Sequence, residues 1–221
     1  MAEKFRLDLI PILIHGNSEV LPKGSFVIRD GSITVKIMPR IPFGDNLYGE
    51  NYSQQTKRVG AQFRKDFREL RNEIEVEGYW SKTLLENFRF KNEVVYKNVK
   101  SDLKINTHTY HRILGLIPPK ATLIHLTKDE GQLDLLLCLN SMDRKLHTYL
   151  EDNDSAIGLE QNFLFQNYAK ITCYTSMYDA LSNTADILLI NLESFSFSSI
   201  ETKNFETIIL LKSGRFLDYK E

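Results

Sequence analysis

The feature that most constrains the fold is a series of short apolar segments after residue 120, separated by stretches with helical spacing. Two of them, "ADILLINL" and "ETIILLK", are apolar almost throughout, as strands are when both faces of a sheet are covered. Strands that alternate with helices require right-handed crossovers and a mainly parallel sheet. We therefore predict an α/β fold. The predicted strands are 121–126, 145–150, 170–175, 185–191 and 206–212, and the predicted helices are 101–115, 131–141, 154–167 and 177–183, with a loop or helix at 196–204.

The first 77 residues follow a different pattern. "GSFVIRDGSITVKIMPRIPF" predicts a β-hairpin with an Asp-Gly turn, and its second strand alternates apolar and polar residues from Ile33 to Ile37. Apolar residues then recur every three or four positions from Val59 to Ile74, which predicts an amphipathic helix. We predict three regions: a hairpin-plus-helix segment at 1–77, a junction or linker at 78–100, and a second domain at 101–221.

Composition and charge limit the partners. A formal net charge of -1 gives no global attraction to nucleic acid, and we predict no nucleic-acid partner. Cys138 and Cys173 lie in apolar runs, which favours buried thiols in a reducing, cytoplasmic compartment. His108 and His111 share one helix face, but no carboxylate pattern completes a metal site.

The cations of helix 53–76 suit a membrane lipid surface at the inner face of the membrane, and the alternative is a solvated helix.

The stretch "LDLIPILIHGNSEVLPKGSFVIRDGSITVKIMPRI" resembles the end of the glycerolipid acyltransferase family, which transfers fatty acyl groups to lysophosphatidic acid and related acceptors. Pro11 matches the proline of that family's last block. The family's reaction needs an upstream His-x4-Asp arrangement, whose histidine deprotonates the acceptor hydroxyl, and a Phe-Pro-Glu-Gly block. The resembling segment has neither; the fourth residue after His15 is Glu19, with no phosphate-binding block beside it. We expect this segment to be the end of an acyltransferase without its active site.

Residues 79–221 resemble class I S-adenosylmethionine-dependent methyltransferases, and more narrowly the domain fused behind an acyltransferase in certain bacterial lipid proteins. The resemblance implies a cofactor loop of the form acid-x-Gly-x-Gly-x-Gly after the first strand. Laid on "LIHLTKDEGQL", the acid falls on His125 and the glycines fall on Thr127, Asp129 and Gly131. Only Gly131 is retained, and Asp129 brings negative charge near the cofactor's carboxylate. We expect no cofactor, or S-adenosylmethionine if this degenerate site still binds.

The same family carries an acid at the end of the second strand, which accepts hydrogen bonds from the ribose hydroxyls. Ungapped alignment puts Leu150 there, and a shift of one residue puts Glu151 there; the alternative is a solvated acidic loop that caps the next helix. The candidate cofactor-binding residues are therefore Gly131 and Glu151, with no catalytic or metal-binding residue predicted.

Three hypotheses follow for the function. The first is a truncated or split member of the acyltransferase–methyltransferase fusion group, non-catalytic as an isolated chain. The second is an active methyltransferase with an atypical cofactor loop. The third is an acyltransferase completed in trans by a separate acyltransferase chain.

Overall fold

The computed structural model divides the chain into two compact units, residues 1–76 and 77–221. Each unit has its own strands and helices. Residues 215–219 are described by their backbone alone, and the side chains of residues 167 and 168 are not described. The described residues are 5–21, 28, 31–45, 51–192, 194–195, 200, 205–212 and 215–219.

The first unit consists of a two-stranded antiparallel sheet and a long helix. Strand β1 (Ile12–His15) pairs with β2 (Thr34–Ile37), and a short helix, α1 (Asn17–Val20), follows β1. Helix α2 (Tyr52–Ile74) begins after Asn51, whose side chain accepts a hydrogen bond from the amide of Gln54. The hairpin-plus-helix prediction is confirmed, although β2 pairs with β1. The strand predicted before the Asp-Gly turn lies largely outside the described residues.

The apolar residues of β2 are exposed. Val35 is 57% exposed and Ile37 is 70% exposed, whereas the polar residues that alternate with them, Thr34 and Lys36, are half-buried. The reason is that α2 packs on the other face of the sheet, where Lys36 pairs with Glu73 and Leu13 is fully buried. The alternation of β2 therefore predicts the strand, but its apolar side faces outward.

Residues 78–100, expected as a linker, form helix α3 (Ser81–Phe88) and the start of α4 (Glu93–Leu116). Leu84, Phe88 and Val99 are buried in the apolar core of the second unit. Their helical spacing and burial place this segment inside the second unit, because side chains packed in a core cannot act as a free connection.

The second unit contains a six-stranded sheet in the order β5-β4-β3-β6-β7-β8. The first five positions are parallel, and β8 is antiparallel to β7. This confirms the predicted α/β, Rossmann-like fold with a mainly parallel sheet. The strands are β3 (Thr122–Thr127), β4 (Lys145–Leu150), β5 (Ile171–Tyr174), β6 (Ile187–Asn191), β7 (Thr207–Lys212) and β8 (Arg215–Tyr219).

Helices lie between the parallel strands: α5 (Gln132–Asn140), α6 (Asn153–Glu160), α7 (Phe163–Tyr168) and α8 (Met177–Leu181). The single helix predicted at 154–167 is wrong, because α6 ends at Glu160 and Asn162 caps the next helix by accepting a hydrogen bond from the amide of Leu164. Most of the loop or helix predicted at 196–204 lies outside the described residues. Strand β8 was not predicted, since its five residues, "RFLDY", contain no apolar run longer than two residues.

Apolar side chains cover both faces of the central strand β3. Leu123 belongs to the cluster shared with α4 and α5, whereas Ile124 and Leu126 belong to the cluster on the opposite face. The same two-sided burial explains why β6 and β7 are apolar nearly throughout. Among the helices in the described part of the chain, none is long and apolar enough to cross a membrane.

The buried side chain of Arg144 joins the ends of two helices. It is 1% exposed, and its guanidinium donates to the carbonyl oxygens of Leu114, Ile117, Pro118 and Leu137. These carbonyls lie at the carboxyl ends of α4 and α5, where helices leave acceptors unpaired and carry partial negative charge. One arginine thus fixes both helices against the start of β4.

Candidate functional site at the carboxyl edge of the sheet

The site lies where the strand order of the second unit reverses. From the central β3 the chain moves outward through β4 and β5, and it then returns to the other side with β6 and β7. In open α/β sheets, ligands bind outside the carboxyl ends of the strands at such a point. Strand β3 ends at Thr127, directly opposite Leu150 at the end of β4. The loops that follow these two residues therefore form the candidate site.

The loop after β3 is closed by its own side chains. The amide of Asp129 donates to Thr127 Oγ1 at 3.3 Å, and the amide of Gly131 donates to Asp129 Oδ1 at 2.8 Å. Between them, the amide of Glu130 donates to Gln132 Oε1 at 3.0 Å. These three consecutive amides are the donors that a glycine-rich loop offers to a bound ligand. Here all three already have partners within the loop and the first turn of α5.

Gly131 is required by the packing of the loop. Its φ of +71° is in the left-handed region, which favours glycine. A Cβ atom at this position would lie 2.5 Å from Leu159 Cδ2 on α6. The glycine retained from the family's loop therefore permits close approach of α6, and cofactor binding by Gly131 stays a prediction.

Helix α4 holds the closed loop from the side. The amide nitrogen of the Gln132 side chain donates to Asp102 Oδ2 at 2.8 Å, and the hydroxyl of Tyr110 donates to the same oxygen at 2.6 Å. Burial, together with the charges of Asp129 and Asp102, raises the pKa of Tyr110 well above its ordinary value. The neutral tyrosine is thus a hydrogen-bond donor that secures Asp102, and through it the loop.

A buried polar network lies beneath the loop. Asp134 on α5 accepts from Thr148 on β4 at 2.7 Å and lies 2.9 Å from Nδ1 of His125 on β3. Burial lowers the pKa of His125, but the Asp134 carboxylate and the more distant Asp129 raise it above the ordinary value. Nε2 of His125 is buried without a hydrogen-bond partner in the described structure. The family's pattern places an acid at position 125. This chain has a histidine there, and the histidine is hydrogen-bonded to the carboxylate of Asp134.

Asp134 and Thr148 were not predicted as members of the site. The signal for Asp134 was a single acid in the otherwise apolar "QLDLLLCL", which cannot be buried without a partner. Its partners on β3 and β4 are distant in sequence and are brought together only by the parallel pairing of His125 with Thr148.

The electrostatics of the loop disfavour another anion. Burial raises the pKa of Asp129 to about 6, although His125 acts in the opposite direction. Burial also raises the pKa of Glu130. Both shifts mean that negative charge is already costly here, so an added carboxylate would meet an unfavourable environment.

Glu151 lies at the mouth of the site, just after β4. Its carboxylate forms an ion pair with Lys128 of the loop, and both side chains are about half-exposed. Lys128 also lies 5.5 Å from the ring centroid of Phe195. The next residue, Asp152, caps α6 by accepting from the amide of Ser155 at 3.0 Å. Hydrogen bonds from Ser155 lower the pKa of Asp152. Glu151 is thus engaged with the loop, and its binding of a ribose stays a prediction.

A His-x4-Asp spacing does occur in the second unit, at His147 and Asp152, outside the segment that resembles acyltransferases. His147 Nδ1 lies 3.1 Å from the hydroxyl of Tyr174, whereas Asp152 serves as the cap of α6. Burial and the neighbouring Lys145 lower the pKa of His147. Each residue of this spacing therefore has a separate structural role.

The other residues considered from the sequence lie apart from the site. His108 is exposed and lies 3.3 Å from Glu77, and no group of three potential metal ligands occurs among the described residues. Burial raises the pKa of Cys138 and that of Cys173 to about 12, so both are thiols at neutral pH. In the first unit, buried His15 lies 2.9 Å from Glu75.

A cleft of about 490 Å³ is present at the opposite, amino-terminal edge of the sheet. Its polar side chains include Lys120, Asp186 and Glu206. Asp186 accepts from the amide of Thr122 at 2.8 Å and so fixes the start of β3. Because this edge lies away from the reversal of strand order, we assign it no ligand.

No family model matches the chain, and no curated protein matches it. Among solved structures, it is similar to a coclaurine N-methyltransferase bound to N-methylheliamine and SAH, with 13% identity and a TM-score of 0.36 over 47% of this chain and 36% of that one. It is also similar to a ribosomal protein L11 methylase from Lactobacillus delbrueckii subsp. bulgaricus, with 12% identity and a TM-score of 0.37 over 50% and 59% of the two chains. The chain thus spans less than two thirds of either protein. The Rossmann-like fold is established by its strand order, independently of these likenesses.

Proposed function

We propose that the second unit is a methyltransferase-like domain that has lost its cofactor site and is not catalytic by itself. One observation carries this proposal: the three consecutive amides of the loop after β3 are bound by side chains of that loop and of the first turn of α5. A ligand that used them would first have to displace Thr127, Asp129 and Gln132. At about 0.5–1.5 kcal/mol for each hydrogen bond, the displacement would cost roughly 1.5–4.5 kcal/mol.

Charge supports the same conclusion. The carboxylate of Asp129 replaces a glycine of the family's loop and lies near the place expected for the carboxylate of S-adenosylmethionine. Two carboxylates at short range repel each other, and partial burial strengthens that repulsion. Steric fill and charge therefore act together against the cofactor.

The second candidate is an active S-adenosylmethionine-dependent methyltransferase with an atypical loop. The Rossmann-like fold favours it, and so does the position of Glu151 immediately after β4. The ion pair that engages Glu151 is half-exposed, and such pairs contribute only about 0–1 kcal/mol. Lys128 could therefore swing away and release Glu151 for the ribose hydroxyls.

Stability measured with and without S-adenosylmethionine separates the two candidates. A ligand that binds the native state at 100 times its dissociation constant raises the free energy of unfolding by about 2.7 kcal/mol. We expect no increase for the natural chain. Thr127→Gly with Asp129→Gly should keep the fold and gain weak binding, if steric fill and charge are what block the site.

Glu151→Gln is the matched control. If the natural chain is stabilised by S-adenosylmethionine and Glu151→Gln removes that stabilisation, the active candidate replaces our proposal. If the double glycine variant folds but gains no binding, the loss extends beyond the loop, and Leu150 at the end of β4 is the next position to change.

For the first unit we propose the end of a lipid acyltransferase, a proposal supported by the sequence resemblance alone. Acyl transfer would then need the catalytic blocks that the resembling segment lacks, for example from a separate acyltransferase chain. His15 is 5% exposed and pairs with Glu75, which suits a structural role. The purified chain should transfer no acyl group from an acyl thioester to lysophosphatidic acid. Transfer that is abolished by His15→Ala would contradict this assignment.

A further inference from the structure

The sheet of the first unit has an open apolar face. Ile12 lies opposite Ile37, and Ile14 lies opposite Val35, so four branched aliphatic side chains project from one side of two strands. Their exposed fractions are 47%, 70%, 48% and 57%, respectively. A contiguous exposed group of this kind marks an interaction surface.

Helix α2 packs on the other face. Leu13 is fully buried there, the Lys36 ammonium lies 3.4 Å from Glu73, and His15 bonds Glu75 just beyond the helix. Side chains of a strand alternate between the two faces, so the open apolar face is directed away from α2.

The first half of α2 adds exposed aromatic residues on the side of the helix that faces the sheet. The open apolar face of the sheet points in that same direction, away from the helix. Tyr52 and Phe63 precede buried Leu70 by eighteen and seven residues, so all three lie on one line of the helix. That line faces the sheet at Leu70. At about 1.5 Å per residue, Phe63 lies about 10 Å and Tyr52 about 27 Å further along the axis. The two aromatic side chains are 40% and 60% exposed.

Cations lie on the other half of α2, behind this line. Lys57 and Arg64 lie about 120–140° from it in one direction, and Arg58 and Lys65 lie at similar angles in the other direction, so an interfacial helix with its aromatic line toward the acyl chains would place them on the headgroup side. Residues 52–65 contain these four cations and no acid, whereas the acids of the helix begin at Asp66. The helix surface is therefore electrostatically complementary to an anionic surface.

We propose that the first unit docks on the surface of an anionic lipid bilayer. The open sheet face and the aromatic residues enter the boundary between headgroups and acyl chains, and the cations reach toward the lipid phosphates with their long side chains. A nucleic acid would engage the cations but would leave the aliphatic face without a partner. A lipid surface accommodates both features at once.

Co-sedimentation of the full chain with vesicles tests the proposal. We expect binding to phosphatidylcholine vesicles that contain phosphatidylglycerol, weaker binding at high salt, and little binding to phosphatidylcholine alone. Lys57→Glu with Arg64→Glu should lower the partition coefficient at least about tenfold. Val35→Asn with Ile37→Asn should lower it by a similar factor, because it removes apolar contact.

Lys100→Glu with Lys104→Glu, two exposed positions on α4, makes the same change in net charge and should leave vesicle binding unchanged. Circular dichroism checks that each variant is folded. Equal loss in this control, or equal binding to neutral vesicles, would overturn the proposal. So would a concentration-dependent dimer that Val35→Asn with Ile37→Asn abolishes, without any vesicle binding by the natural chain, since the face would then join two copies.

Discussion

Replacing Arg144 by methionine tests whether its guanidinium holds the carboxyl end of α4. Residue 118 is proline and has no amide hydrogen, so the carbonyl of Leu114 cannot receive the usual helical hydrogen bond. The amide of Ala121 donates to Pro118, which leaves the carbonyl of Ile117 without it. Arg144 donates to both Leu114 and Ile117 and so satisfies the carboxyl end of α4.

The cost of Arg144→Met follows from these two acceptors. The carbonyls of Pro118 and Leu137 retain backbone donors, from Ala121 and Ser141. Each acceptor left unsatisfied in a buried place costs about 1–3 kcal/mol, which gives roughly 2–6 kcal/mol in total. Because a domain is stable by only about 5–15 kcal/mol, the variant should unfold at a much lower urea concentration.

Urea unfolding followed by circular dichroism measures this loss. Arg144→Lys keeps the charge but concentrates its donors on one nitrogen, so it should still lose about 2 kcal/mol or more. Lys145→Met removes an exposed cation next to it and should change stability by about 0.5 kcal/mol or less. If Arg144→Met and Arg144→Lys both cost less than about 1 kcal/mol, the assigned role of the guanidinium is wrong.

Two further predictions concern the loop after β3. Burial raises the pKa of Asp129 to about 6, so the native state holds a proton between pH 3.8 and about 6 that the unfolded chain releases, and stability falls as pH rises through this window. Above pH 6, Asp129→Asn should therefore have a free energy of unfolding, measured with urea, that is up to about 3 kcal/mol higher than that of the natural chain. At pH 3.5 the two should not differ. A constant difference at all pH values would contradict this prediction. Gly131→Ala should cost about 2–4 kcal/mol through its left-handed φ and its contact with Leu159. The cost should be smaller in a Leu159→Ala background, and strict additivity would rule out the contact.

Local sequence was sufficient for most of the second unit. The strand predicted at 145–150 has the observed bounds, and the others differ at their ends by one or two residues. Continuous apolar runs indicated β6 and β7, because strands that are covered on both faces are apolar nearly throughout. The break at Asn162 was missed, since a side chain that caps a helix can equally lie within one. The burial of α3 was missed because its aromatic and basic residues are typical of both surfaces and packed helices.

The candidate site was only partly predictable. The loss of glycines at Thr127 and Asp129 is visible in the sequence, and it implied a blocked loop. That their side chains bind the amides of the loop itself is a matter of three-dimensional geometry. The contact of Lys128 with Glu151 likewise depends on two loops that meet only because β3 and β4 are parallel neighbours.

The sequence by itself determined the α/β alternation, the hairpin and the one glycine that the loop retains, because each depends on neighbouring residues and on the period of the local structure. Tertiary structure decided which side of each element is covered. Val35 and Ile37 have the spacing of a buried face, yet α2 occupies the opposite side of their sheet. Gly131 occupies a glycine position of the ligand-binding loop that the sequence resembles, yet the side chain of Leu159 fills the space beside it. Burial depends on which elements meet in space, and periodicity in one segment does not specify its partner.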